Sequence, residues 1–139
     1  PLAYKDLFER YTSGKDIPQS YAMAIARQES AWNPKVRSPV GASGLMQIMP
    51  GTATHTVSMF SIPGYSGPSQ LLDPETNINI GTSYLQYVYQ QFGNNRIFSS
   101  AAYNAPGRAG YAAGRGTAPD GSTPWRLSRV FRFRKPAAT

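Results

Sequence analysis

The 139-residue chain has no cysteine and a single histidine. The first absence excludes disulfides and thiol chemistry, but it leaves the compartment open, since many exported domains do without cysteine. The second leaves His55, in GTATHTVSMF, with no cysteine or second histidine beside it, so neither a metal site nor a cofactor held by one is expected. No apolar run approaches the ~20 residues that span a bilayer, and no membrane insertion is expected. The length suits one domain with room for a core. The chain opens on Pro1 without a basic-then-apolar leader, which reads as a domain cut from a longer chain or a processed one.

Carboxylates are scarce as well, and unevenly so. Residues 1–104 carry seven lysines and arginines against six acids, whereas residues 105–139 carry seven against Asp120 alone. The net charge of +7 therefore belongs to the tail and is not a patch on the folded body. That argues against a nucleic-acid partner.

What is present is mostly helical pattern. Tyr4, Leu7, Phe8 and Tyr11 repeat at helical spacing and stop near Gly14. Pro18 suits the first turn of a second helix that ends before Asn33-Pro34. Residues 33–50 hold three prolines and two glycines, and predict an irregular segment with a short hairpin around GASGLMQIM. A helix is expected from Thr52 to about Phe60, then a loop over SIPGYSGPSQ. Asp73-Pro74-Glu75 has the cap, proline and early negative charge of a helix start. Tyr84, Leu85, Val88 and Phe92 give that helix its apolar face as far as Gly93, and a last helix runs from about Asn95 to Asn104. The expected fold is mainly α, with a small irregular or β segment at about 38–49. Eighteen residues is long for a plain connection, and such a loop can line a cleft.

One residue sits against this pattern. In YAMAIARQESAW, Tyr21, Ile25 and Trp32 share a helical stripe that Ala22, Ala24 and Ala26 widen, while Met23, Arg27 and Ser30 lie opposite. Glu29 falls inside the apolar arc. Such a glutamate either keeps its head in water at the edge of the stripe or on a backbone donor, or is partly buried. Partial burial favours its protonated form, which is what a general acid needs.

Three short stretches then occur in order: QES at 28–30, GLMQ at 44–47 and AYN at 102–104. With PQSYAMAIARQESAWNP, SPVGASGLMQIMPGTA, LLDPETNINIGTSYL and SSAAYNA around them, residues 1–105 resemble the catalytic domain of the soluble lytic murein transglycosylases. The resemblance implies a goose-lysozyme-like fold and Glu29 as the lone catalytic carboxylate. It implies that Glu29 protonates the bridging oxygen between N-acetylmuramic acid and N-acetylglucosamine. Glu29 then acts as base on the muramic C6 hydroxyl, giving a 1,6-anhydro ring without water. It further implies peptidoglycan glycan strands as partner, no cofactor, a periplasmic location, an N-terminal helical domain in the longer chain, and Met49 at the cleft.

The residues read alone agree with one carboxylate. Asp6 and Glu9 belong to the first helix, Asp16 precedes Pro18, and Asp73 and Glu75 serve a helix start, so no obvious partner remains for Glu29. Gln47 offers an amide to an N-acetyl or hydroxyl group, or bonds the local backbone. Ser38 can bond Glu29, or serve turn chemistry before Pro39. Gly44 lets the backbone approach a sugar. Tyr103 and Asn104 offer a ring for a sugar face and an amide, or simply a helix end with an Asn cap. A hydrolytic muramidase and an inactive glycan-binding relic remain open as alternatives.

After Ala105 the pattern breaks. Of residues 105–139, 22 are Ala, Gly, Pro or Arg, and neither Ile nor Glu occurs. Residues 106–139 do not match the family and read like an out-of-frame translation. They form a basic tail standing where native C-terminal helices are expected, which puts the activity of the domain in question.

Overall fold

The computed structural model describes residues 2–105; the expected aberrant tail, 106–139, lies outside the described residues. A 3-10 turn at Leu2–Tyr4 leads into α1 (Lys5–Thr12), followed by α2 (Gln19–Ser30), α3 (Pro50–Phe60), α4 (Pro74–Gln91) and α5 (Arg96–Ala105), with a second 3-10 turn at Pro68–Leu72 before α4. The elements and their order match the apolar spacing of the sequence. α3 starts two residues earlier than expected, because Pro50 occupies its first turn, where a missing N–H is harmless.

α4 is the axis of the domain. Its residues Asn77, Ile78, Ile80–Gln86, Val88 and Tyr89 are buried, so it is covered on more than the single face its apolar spacing suggests. α1, α3, α5 and the Pro68–Leu72 turn all pack on it. It starts as the sequence predicts: Asp73 Oδ2 accepts from Thr76 N at 3.0 Å, a cap that contributes about 1 kcal/mol. One turn before its end, Gln86 Oε1 accepts from the backbone N–H groups of Asp16 and Ile17 at 2.9 and 3.1 Å, fixing the lead into α2.

α2 lays Tyr21, Ala22, Ile25 and Ala26 into the core. Two assignments of the helical wheel are corrected. Ala24 is exposed, since at 3.6 residues per turn it lies about a third of a turn around the helix from the buried stripe's centre. Ser30 is buried, since its Oγ turns back to donate to Ala26 O at 2.9 Å and accepts from Trp32 N at 3.1 Å, closing the helix end.

The irregular segment between α2 and α3 folds onto itself as the GASGLMQIM pattern suggests. Antiparallel bridges join Arg37 to Ser43 and Ser43 to Ile48, and Gly44 N donates to Val36 O at 2.9 Å. Ala42, Leu45, Met46 and Ile48 are buried, so the segment is a wall of the domain with its own core residues.

Candidate functional site

Glu29 occupies the last turn of α2, where the chain immediately turns left-handed at two non-glycine residues, Ala31 (φ 50°) and Trp32 (φ 67°). Each such conformation costs of order 1 kcal/mol or more and persists only where the surroundings hold it. Here Trp32 is held by Tyr4, stacked at 6.4 Å, and by Phe8, edge-on at 5.9 Å. The effect is to end α2 abruptly beyond Glu29. The side chain is half-buried, with Oε2 closed off from solvent.

Tyr103 of α5 lies close enough to feel that carboxylate. Burial first, and the Glu29 charge next, push its phenol well above the ordinary value of 10.0. Its O–H donates to the backbone carbonyl of Met46 at 2.7 Å, and its ring leans on Tyr84 at 5.4 Å. Tyr103 is 5% exposed. The sequence-based expectation of a ring open to a sugar face is therefore corrected: the ring is core, and the hydroxyl ties α5 to the 36–48 segment.

Gly44 packs closely against its neighbours as well. Its φ is +80°, and a Cβ there would collide with Leu71 O and Asn77 Nδ2. The close approach that it permits is to the protein interior. Gln47, also left-handed at φ 51°, donates from Nε2 to Val36 O at 3.1 Å and to Gly44 O at 2.9 Å. Its amide donor thus serves the local backbone, the plainer of the two expected roles. Ser38 does likewise: its Oγ accepts from Ala42 N at 3.0 Å and its N–H donates to Ala42 O at 2.8 Å. Met49 is half-buried at the N-terminal boundary of α3, and its carbonyl accepts from Ala53 N at 2.9 Å. Asn104 is half-buried and donates back to Ser100 O at 3.0 Å.

Met46 thus joins Tyr103 to the 44–47 stretch, and Tyr103 in turn feels the Glu29 charge. Sequence inspection missed the residue beneath them. Asn77, fully buried in α4, accepts from Met46 N at 2.7 Å and donates to Ser43 O and Leu71 O, both at 2.8 Å. A signal existed: NINIG sets two asparagines, Asn77 and Asn79, among apolar residues near the start of α4. Gly81, one turn on, receives the Met46 side chain, and a Cβ there would meet Met46 Cβ at 2.8 Å.

One result follows from the Tyr103 environment. Its folded-state value lies above the unfolded one, so its share of stability is whole below about pH 10 and is lost as pH rises through the folded value. In an alkaline titration followed by NMR of ring-labelled tyrosine, Tyr103 is expected to ionise after the half-buried Tyr11, whose phenol is raised less. Ionisation together with it would contradict the burial described.

The family model for the transglycosylase SLT domain matches residues 6–118, which corrects the expectation that the family match stops at Ala105. The chain belongs to this family. The soluble lytic murein transglycosylase of Escherichia coli K12 is 88% identical over 120 residues, covering 83% of this chain and 19% of that protein. A structure of a 70-kDa soluble lytic transglycosylase in complex with bulgecin A superposes with a TM-score of 0.74 at 93% identity, covering 76% of this chain and 17% of that one. A second structure, of the 70-kDa enzyme from E. coli, gives 0.74 at 74% identity, covering 96% and 22%. The chain spans about a fifth of the length of the curated relatives it matches. Its SLT fold is the mainly helical, lysozyme-like arrangement that the resemblance implies, in which Tyr103 of α5 bonds the 44–47 stretch at Met46 O and lies within electrostatic reach of Glu29.

Proposed function

We propose that the domain cleaves the β-1,4 bond between N-acetylmuramic acid and N-acetylglucosamine in periplasmic peptidoglycan strands, without water, leaving a 1,6-anhydromuramic end. The observation that carries this is the contrast between Glu29 and the other carboxylates among the described residues. Asp6, Glu9, Asp16, Asp73 and Glu75 are all exposed, whereas Glu29 is half-buried. Three of the exposed five have other work: Asp73 caps α4, Glu75 accepts from Arg10 and Tyr11, and Asp16 accepts from Gln90. A two-carboxylate glycosidase needs a second acid facing the bond; these three are committed elsewhere, and Asp6 and Glu9 lie exposed on α1.

The reaction requires Glu29 to enter protonated. Shielding of Oε2 disfavours its charged form, and so do the partial negative charges of the last α2 carbonyls. Glu29 gives its proton to the bridging oxygen as the bond from that oxygen to the muramic C1 breaks. The carboxylate then takes the C6 hydroxyl proton of the same sugar while that oxygen closes on C1. The proton returns to its starting point, so the sequence balances with no water consumed. Tyr103 stays un-ionised beside it and adds no competing negative charge.

Mass spectrometry of peptidoglycan digested by this chain tests the proposal. Muropeptides one water lighter than hydrolysis products are expected. Products with ordinary reducing ends would make it a hydrolytic muramidase, and intact glycan that stays bound would make it a binding relic.

A further inference from the structure

We propose that Asn77 is a positioning residue for the reaction, holding Met46 so that Tyr103 and the 44–47 stretch stay fixed beside Glu29. This rests on the transglycosylase reading above. All three hydrogen bonds of the buried amide leave the helix. Oδ1 accepts from Met46 N, and the two Nδ2 hydrogens reach Ser43 O and Leu71 O, which uses both donors of the side chain.

The Met46 residue is consequently gripped from two helices. Asn77 of α4 takes its N–H at 2.7 Å, and Tyr103 of α5 gives its O–H to the Met46 carbonyl at 2.7 Å. The missing side chain of Gly81 admits the methionine itself. Tyr103 in turn lies within electrostatic reach of Glu29. Asn77 touches neither Tyr103 nor Glu29 in any of these bonds, so it acts on them through Met46. Asn77 is the fourth residue of α4 and its own N–H already bonds Asp73 O at 2.9 Å, so its side chain is not needed to start the helix and all three of its bonds serve other segments.

The test compares Asn77→Ala with the unsubstituted chain and with Asn79→Ala, a control on the same helix. Release of anhydro-muropeptides is followed at a temperature where circular dichroism shows each protein folded. Positioning predicts that Asn77→Ala lowers kcat by about tenfold or more with KM within about threefold. It also predicts that Tyr103, followed by its labelled ring carbon, ionises at lower pH than in the parent. A purely structural role predicts a lower melting temperature with kcat and the Tyr103 titration unchanged, and that outcome overturns the proposal. Should Asn77→Ala not fold, Asn77→Ser keeps a small neutral polar group in the buried space while giving up most of the three bonds. The same pair of readouts then decides, with a smaller loss expected. If the unsubstituted chain releases no anhydro product, the transglycosylase reading falls, and the Tyr103 titration alone decides the coupling.

Discussion

Replacing Glu29 by Gln is expected to lower anhydro-muropeptide release by about a thousandfold or more, with little change in the affinity for glycan strands. An amide of the same shape neither delivers a proton to the bridging oxygen nor removes one from the C6 hydroxyl. Both halves of the proposed reaction pass through this one group, so no other step compensates. Stability should hold or rise, because a half-buried carboxylate becomes a neutral amide of equal volume in the same turn of α2. Glu29→Asp separates position from chemistry. It keeps the carboxyl and withdraws it by one methylene, a misplacement worth about a hundredfold. Quantitative mass spectrometry of digests measures both. A Glu29→Gln protein within tenfold of the parent would remove Glu29 from the mechanism, whatever its burial.

The sequence carried the outline of this site and little of its interior. Helix spacing located α1, α2, α4 and α5 because their apolar faces repeat, and the proline and capping signals at Asp73-Pro74 are local by nature. Glu29 was legible because a single charge in an apolar arc violates a period. The direction in which Tyr103 and Gly44 work was not legible. Both stand in stretches that resemble a catalytic family's motifs, which invites assigning them to the ligand. Their partners, the Met46 carbonyl and the Leu71 carbonyl, lie 57 and 27 residues away in sequence, and no local pattern encodes such contacts. Asn77 was passed over for the same reason. A buried amide is explained only by the three backbone groups it meets, and two of those belong to the distant 43–46 stretch. Ser30 was misassigned because a wheel assumes the helix continues, while α2 ends there and the hydroxyl turns inward to close it.

Gly44→Ala is expected to destabilise the domain by about 3 kcal/mol or more, a large part of the ~5–15 kcal/mol such domains have. Two costs combine. The left-handed conformation, φ +80°, disfavours alanine by about 1 kcal/mol. The added methyl also enters space held by Leu71 O and Asn77 Nδ2, and overpacking of this kind costs about 1–3 kcal/mol. The carbonyl is backbone and cannot swing aside, so the 36–48 segment must lift from α4 or the 68–72 turn must shift. Gly41 supplies the internal comparison. It lies in the same segment at φ +98°, yet a Cβ there meets nothing within 4 Å. Gly41→Ala should therefore cost only the conformational part. Thermal unfolding of the two variants isolates the contact, with Gly44→Ala melting roughly 10 °C or more below Gly41→Ala. Equal melting temperatures would mean that the close approach of Gly44 to α4 does not matter. A double-mutant cycle carries the argument one step further. Asn77→Ala empties the space that the Gly44 methyl would enter, so the two losses should sum to more than the double variant shows. Strict additivity would place the obstruction at Leu71 O alone, and would detach Gly44 from the amide on which the 43–46 stretch rests.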